Sequence, residues 1–183
     1  MTFVGQAYGE RPDQIQHLLK CGLNVHVWGA LWEFHVQPKS RNPFRHWFET
    51  PRGLPAHVVG GILSDREMIE LYSRSKINLG FSSCGNTQLA QQRILQIRLR
   101  DFEVPMCGGF YLVEYQDELS EFFEFDKEIV CYKNQEELVD KIRFYLAHDT
   151  ARKKIAAAGR ERCLRDHTWQ KRFQNVFTQM GLT

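Results

Sequence analysis

Charged side chains interrupt an otherwise apolar segment between residues 98 and 114. Arg100 and Glu103 lie in a predicted short helix, which runs through Gly108–Gly109 into an apolar strand at residues 110–113. The planar guanidinium of Arg100 can grip two phosphate oxygens at once, whereas a lysine would offer only a point charge. Polar groups placed this way lie at the edge of a parallel sheet, where open α/β sheets bind ligands. The segment therefore predicts a ligand site, and an ion pair between Arg100 and Glu103 is the alternative.

The turn after the first predicted strand supplies further candidate contacts. Gly5 and Gln6 follow this strand directly, and a turn without side-chain bulk at Gly5 lets a ligand approach the backbone. Arg11 is close enough in sequence to reach the same crevice. A glycine after a strand also serves as a simple turn residue, so both roles remain open for Gly5.

Composition argues against several classes of function. The chain has 24 Lys and Arg against 22 Asp and Glu, and a net charge of +2 does not favour nucleic acid or a membrane surface as partner. The 5 cysteines are scattered without a Cys-x-x-Cys pair, which predicts reduced thiols rather than disulfides or a zinc site. No apolar run reaches the roughly 18 residues of a membrane span, and no signal peptide follows Met1. We expect a cytoplasmic chain without a metal site.

Apolar runs alternate with helical patterns along the whole chain. This alternation predicts βαβ units with right-handed crossovers, and hence a mostly parallel sheet covered by helices on both faces. We expect a single three-layer, Rossmann-like α/β domain over residues 1–183, with about six strands and two C-terminal helices. The predicted strands are residues 2–4, 23–28, 58–63, 77–81, 110–113 and 128–132.

Capping residues mark the expected helix boundaries. The predicted caps are Ser64 with Glu67, Asn134 with Glu137, Thr150, and Thr168. Residues 88–106 are predicted to be mostly helical, and Pro105 should kink or end that helix. Trp169 and Arg172 are interpreted as anchors of the last helix, and His167 before it as a structural residue. The apolar face of that helix consists of Trp169, Phe173, Val176, Phe177 and Met180.

Residues 30–56 are long for a loop inside a compact domain and combine aromatic with basic side chains. The aromatic residues are Trp32, Phe34, Phe44, Trp47 and Phe48. Bases could stack on such rings, but the nearly neutral net charge favours docking against a neighbouring domain instead. We therefore do not expect nucleic acid as a partner.

Four motifs in order carry a resemblance to a known family. They are Phe-Val-Gly-Gln at 3–6 with Arg11, Ser-Lys-Ile-Asn at 75–78, Arg-Asp-Phe-Glu-Val-Pro-Met-Cys-Gly-Gly at 100–109, and His-Thr-Trp-Gln-Lys-Arg at 167–172. Over nearly its whole length the chain resembles the C-terminal half of GT-B glycosyltransferases, especially the group 1 and CgeB-like set. The resemblance implies a nucleotide-sugar-binding domain that is normally preceded by a second, acceptor-binding domain. That N-terminal domain is absent here, and a chain that opens within a strand is expected to be a domain of a longer protein.

The residue types suit such a donor. A pyrophosphate needs backbone N–H groups and a cation, and a ribose diol suits a carboxylate. The resemblance implies that Arg100 and Glu103 are the catalytic pair, Arg100 at the diphosphate and Glu103 at the ribose. The implied donor-binding residues are Gly5, Gln6, Arg11, Gly108 and Gly109. A UDP-sugar is the favoured donor, with no further cofactor, because cations and helix dipoles can replace a metal at the leaving diphosphate.

One acid of the wider family's pattern is missing. Retaining GT-B enzymes have two glutamates separated by seven residues, and Glu103 aligns with the second, which lies near the ribose. Leu95 occupies the position of the first, which would contact the donor sugar. Gln96, Asn86 and the Ser82–Ser83 loop are possible substitutes.

The sequence thus predicts the donor-binding domain of a glycosyltransferase, inactive or weak when isolated. A nucleotide-sugar epimerase or hydrolase and a non-catalytic interaction module are the alternatives. The sequence leaves open the base, the sugar, the acceptor, the stereochemical outcome and the oligomeric state.

Overall fold

Short parallel strands and longer helices alternate in the computed structural model, which describes residues 1–37, 53–84 and 94–182. The strands are β1 (Thr2–Val4), β2 (His26–Trp28), β3 (Asn78–Gly80), β4 (Tyr111–Glu114) and β5 (Val130–Tyr132). The helices are α1 (Arg11–Lys20), α2 (Asp65–Arg74), α3 (Arg100–Met106), α4 (Gln135–Ala147), α5 (Asp149–Asp166) and α6 (Trp169–Gln179). The expected Rossmann-like α/β architecture is confirmed.

All pairings within the sheet are parallel, in the order β2-β1-β3-β4-β5. The carboxyl ends of β1 and β3 are therefore neighbours, and both precede loops that carry polar residues. The strand order changes direction at β1, because β2 lies on one side of it and the later strands on the other. Ligands of open α/β sheets bind at such a switch point, outside the carboxyl ends of the strands.

Two apolar clusters fill the two faces of the sheet. On β4, Leu112 belongs to the cluster that contains Leu18 of α1 and Ile142 of α4. Val113 faces the other way and joins the cluster that contains Val104 of α3. Both faces are buried, so apolar Leu112 and Val113 follow each other in β4 instead of alternating with polar residues. This explains why apolar runs were a good strand signal in this chain.

Two predicted elements differ from the structure. Residues 58–63 contribute only a parallel bridge between Val59 and Val27, because few of their backbone groups reach the sheet. The helix predicted at 88–106 begins only at Arg100, and residues 94–99 before it are not helical. Residues 85–93 lie outside the described part of the chain. Pro105 lies inside α3, which ends one residue later at Met106, as expected of a proline that ends its helix.

The helix caps were predicted with mixed success. Ser64 and Glu67 form the complete capping box that was expected. Asn134 accepts a hydrogen bond from the N–H of Glu137, whereas the Glu137 carboxylate accepts from the N–H of Lys133. Thr150 is not a cap, because α5 already begins at Asp149. Thr168 caps α6 as predicted, accepting from the N–H of Lys171 at 3.3 Å.

The start of α6 is held by an aromatic cluster. The His167 ring lies 5.1 Å from the Phe102 ring and 5.4 Å from that of Phe123, and its Nε2 is 3.0 Å from the carbonyl oxygen of Phe122. The Arg172 guanidinium lies 4.4 Å from the Phe102 ring centroid. These contacts agree with a structural role for His167 and an anchoring role for Arg172.

Trp169 does not anchor α6, because 63% of it is exposed. The other residues of the apolar face are exposed too, namely Phe173, Val176, Phe177 and Met180. Among the described residues, the three aromatic rings of this face stack on one another, with the centroids of Trp169 and Phe173 5.8 Å apart. Hydrophobic periodicity identified the helix correctly, but the described contact of α6 with the domain is made by Arg172.

Candidate functional site

The turn after β1 holds Gly5 between two other segments at the carboxyl edge of the sheet. The Gly5 N–H donates to the carbonyl oxygen of Trp28, and its carbonyl accepts from the Trp32 indole N–H at 2.6 Å. A Cβ atom at Gly5 would lie 2.5 Å from Nη2 of Arg100 and 2.9 Å from the Phe3 ring. Only glycine therefore leaves room for the Arg100 guanidinium over this turn.

Trp32 is fully buried beside this turn and contacts Phe3 edge to face. Its role is to support Gly5, which differs from the stacking or docking role expected for the aromatic segment. Phe34 is 77% exposed. Phe44, Trp47 and Phe48 lie outside the described residues.

Arg11 is the first residue of α1 and is almost completely buried. Its guanidinium donates to the carbonyl oxygen of Gln6 at 3.0 Å and to the hydroxyl of Tyr8 at 2.8 Å. A longer bond, at 3.4 Å, reaches the carbonyl oxygen of Phe81 after β3. Arg11 therefore joins the two loops that follow β1 and β3, and its predicted donor contact stays a prediction. Gln6 itself is exposed at the tip of its turn.

Arg100 approaches the same turn from the start of α3. Its guanidinium lies 4.8 Å from the centroid of the Phe3 ring, and that of Arg11 lies 5.3 Å from the same ring. The ring thus accepts two cations on its electron-rich surface, which partly offsets their mutual repulsion. The structure brings together Arg100, Arg11 and Gly5, which the sequence proposed separately.

Arg98 is a third cation of the site and was missed by the sequence analysis. Its guanidinium donates to the carbonyl oxygens of Ser82 and Ser83, at 3.2 and 2.8 Å. It also lies 6.0 Å from the Tyr8 ring, on which Arg11 stacks at 3.9 Å. The available signal was its spacing from Arg100, but alternate residues of a predicted helix point in different directions. Arg98 converges on the site because the chain before Arg100 is not helical.

The three guanidiniums of this arginine cluster (Arg11, Arg98 and Arg100) are short of acceptors. Arg11 Nε, Arg98 Nε and Arg100 Nη1 are buried without a hydrogen-bond partner among the described residues. Burial, together with the charges of Arg100 and Arg98, lowers the pKa of Arg11 to about 10. Buried donors are normally paired, and adjacent like charges are costly. The cluster is therefore suited to an anion that brings several oxygens.

Glu103 lies one turn along α3 from Arg100 and is partly buried. Burial raises the pKa of its carboxyl, the nearby Arg100 charge opposes this shift, and Asp65 at the start of α2 reinforces it. Glu103 thus lies on the side of α3 that is near the start of α2, at the margin of the arginine cluster. An ionised carboxylate in this position can accept hydrogen bonds from a ligand hydroxyl.

Gly108 and Gly109 lie at the opposite edge of the sheet, because they precede β4 whereas Gly5 follows β1. A Cβ at Gly109 would lie 2.6 Å from the Asn78 amide and 2.7 Å from the carbonyl oxygen of Tyr72. Gly108 has a positive φ of 77°, which ends α3. The structure gives these two glycines packing and turn roles and does not bring them to the arginine cluster.

Two paired segments form the region around Leu95, where the family's pattern has its first glutamate. Leu95 pairs with Ser83 in an antiparallel bridge, and the Gln96 N–H donates to the carbonyl oxygen of Ser82. Gln96 and the Ser82–Ser83 loop are thus brought to the carboxyl end of β3. Asn86 lies outside the described residues.

Other kinds of site were also considered. Within residues 1–37, 53–84 and 94–182, no group of three His, Cys, Asp or Glu side chains is placed to hold a metal ion. In the same ranges, no helix combines the length and apolar character that crossing a membrane requires.

A parallel sheet with helices on both faces defines a Rossmann-like α/β domain, and the arginine cluster lies at the carboxyl edge of this sheet. Residues 11–178 match the sequence model of a family described as glycosyl transferase-like. The chain therefore belongs to the glycosyl transferase-like family. No curated protein is significantly similar to this sequence.

Solved structures share the fold at low sequence identity. One of them is T4 phage BGT, a β-glucosyltransferase crystallised with UDP-glucose, which is 17% identical and superposes with a TM-score of 0.61. The alignment includes 97% of this chain and 47% of the T4 phage protein. HepE from Anabaena, in complex with UDP, is 13% identical with a TM-score of 0.63, and 99% of this chain covers 49% of it. TarM is 11% identical with a TM-score of 0.59, and 97% of this chain covers 34% of it. The chain thus has the fold of one GT-B domain and spans half or less of these proteins.

Proposed function

We propose that this chain is the donor-binding domain of a glycosyltransferase and holds a UDP-sugar for transfer to an acceptor. The observation that carries the proposal is the arginine cluster, whose buried N–H groups lack partners among the described residues. A diphosphate carries charge and several acceptor oxygens, so it would pair these donors and offset the repulsion. Membership of the glycosyl transferase-like family supports a transferase, and proteins of the same fold were crystallised with UDP-glucose or UDP.

Each residue would act at a different part of the donor. Arg100 and Arg11, with Arg98, would bind the diphosphate beside the Gly5 turn. Glu103 would accept hydrogen bonds from the ribose hydroxyls, and Gln6 would lie at the outer rim of the site. During transfer the glycosyl–oxygen bond breaks and negative charge grows on the diphosphate. The domain's share of catalysis would be to stabilise that leaving group.

Isothermal titration with UDP, GDP, ADP and the corresponding sugar nucleotides tests this proposal. Wild-type protein should bind UDP, and Arg100→Ala and Glu103→Ala should each weaken binding by about 1 to 3 kcal/mol, as expected for a lost charged hydrogen bond. Arg165→Ala is the matched control, because Arg165 is exposed near the far end of α5 and pairs only locally with Asp166. Absence of nucleotide binding by folded wild-type protein would contradict the proposal and favour a non-catalytic interaction module.

A further inference from the structure

A buried carboxylate and a buried phenol lie directly beneath the arginine cluster. Asp101 is 1% exposed and Tyr111 of β4 is 2% exposed. The Tyr111 hydroxyl donates to Asp101 Oδ1 at 2.6 Å. None of the roles assigned above uses this pair. A buried carboxylate is costly to keep, so its partners and position call for an explanation.

The second oxygen of Asp101 fixes the chain that carries the arginines. Asp101 Oδ2 accepts from the backbone N–H of Arg98 at 2.8 Å, and the Asp101 N–H donates to the Arg98 carbonyl at 3.0 Å. The backbone between these residues is thereby closed into a small hydrogen-bonded ring. Arg98 and Arg100 belong to this ring, so its position determines where both arginine side chains leave the backbone.

Tyr111 ties this ring to the end of β3. A Cβ atom at Gly80 would overlap the Tyr111 hydroxyl, so glycine at the last position of β3 makes room for it. The next residue, Phe81, offers its carbonyl to Arg11, and the Ser82 carbonyl accepts from Arg98. The pair therefore connects α3 to the strand end that receives the other arginine contacts.

We propose that Asp101 and Tyr111 are positioning residues of the anion site: the phenol orients the carboxylate, and the carboxylate holds the Arg98 backbone so that Arg98 and Arg100 converge with Arg11. The inference rests on the proposed function, because its measurable consequence is diphosphate binding. The Asp101 charge also offsets part of the positive charge of the cluster in the ligand-free protein. A simple helix cap would instead stabilise α3 without affecting the ligand affinity of the folded protein.

Tyr111→Phe tests the inference, because it removes only the hydroxyl. Dissociation constants for UDP and for uridine are measured by ligand-observed NMR. The variant should weaken UDP about five- to tenfold, the scale of one lost hydrogen bond, and leave uridine within about twofold. Tyr132→Phe is the matched control: Tyr132 is similarly buried, and its hydroxyl donates to the Gly80 carbonyl at 2.9 Å on the same strand end. It should leave both constants unchanged.

The outcomes separate the two proposals. Wild-type UDP affinity in a folded Tyr111→Phe protein overturns the positioning role and leaves the donor site intact. An equal loss for UDP and uridine, or an equal loss in Tyr132→Phe, also overturns it, because the effect would then be general. Absence of UDP binding by the wild type overturns both proposals.

A measurement on the wild-type protein covers the case of a variant that does not fold. Exchange of the Arg98 amide hydrogen is followed with and without saturating UDP. Because this N–H donates to the buried carboxylate, UDP binding to the positioned arginines should slow its exchange. An unchanged rate in the presence of bound UDP overturns the inference.

Discussion

At the scale of single residues, the site is defined by guanidiniums that the fold buries without enough acceptors. Arg11 and Arg100 lie against the same Phe3 ring, and the pKa of Arg11 is lowered to about 10 by burial and by its two arginine neighbours. Arg11 nevertheless stays charged near neutral pH. Folding holds these like charges together at a cost that a bound anion would reduce, which suits the cluster to the proposed donor site.

Glu103 provides a pH-dependent prediction at this scale. Burial raises the pKa of the Glu103 carboxyl. When the pH falls below this pKa, the carboxylate is protonated, loses its charge and becomes a weaker hydrogen-bond acceptor. The ratio of wild-type to Glu103→Gln affinity for UDP should therefore fall several-fold when the pH is lowered from about 8 to about 4, at the lower end of the ordinary carboxyl range. Titrations of both proteins at each pH measure this ratio, in which protonation of UDP itself cancels. A constant ratio would exclude Glu103 from the ribose contact.

At the scale of elements, α3 is the part that joins the site to the core. Its first residue, Arg100, faces the Gly5 turn, while Val104 is fully buried in the apolar cluster. Helix α5 packs against this region through Gly159, where a Cβ atom would overlap the carbonyl oxygen of Glu128 and lie 3.4 Å from Cβ of Pro105. The glycine thus allows α5 to lie close to α3 and to the segment before β5.

Gly159→Ala should destabilise the protein although alanine is the better helix former. The gain in helix propensity is about 1 kcal/mol, whereas overlap with a fixed backbone carbonyl costs about 1 to 3 kcal/mol and can be relieved only by moving α5. Urea denaturation should show a net loss of up to about 2 kcal/mol in the free energy of unfolding. Lys154→Ala, at an exposed position of the same helix, should change it by less than about 0.5 kcal/mol. A stabilised Gly159→Ala protein would show that α5 is free to shift.

At the scale of the whole molecule, the chain corresponds to one half of a larger architecture. It covers 47% and 49% of two glycosyltransferase-fold structures that were solved with UDP-glucose and UDP. The exposed apolar face of α6 has no covering element among the described residues. Transfer of a glycosyl group requires a positioned acceptor and exclusion of water, in addition to a held donor.

The 183-residue chain should therefore bind UDP-glucose but turn it over slowly or not at all. Release of UDP is measured with and without candidate sugar acceptors, using protein from the same preparation that binds UDP by titration. Arg100→Ala serves as the background, since it should lose any turnover that depends on the site. Turnover at a rate comparable to that of a complete enzyme, typically about 1 to 1,000 per second, would contradict this prediction.

The sequence by itself determined the parallel α/β architecture, the capping box at Ser64, and the approach of Arg11 to the turn at Gly5. These features depend on apolar runs, capping spacings and glycine positions, which are local properties of the chain. Arg100 and Glu103 were proposed from the same kind of local pattern, since they lie three residues apart on one helix, and their contacts to a donor stay a prediction.

Only the tertiary structure decided which of the candidate residues meet. It brought Arg98 into the site, buried Asp101 against Tyr111, and placed Gly108–Gly109 at the opposite edge of the sheet. The contacts to Arg11 and Arg98 connect segments as far apart as 70 residues. Such convergence depends on strand order and on where α3 begins, and neither has a periodic signature in the sequence. The same physical reason explains the exposed face of α6: periodicity identifies an apolar face, whereas packing decides what covers it.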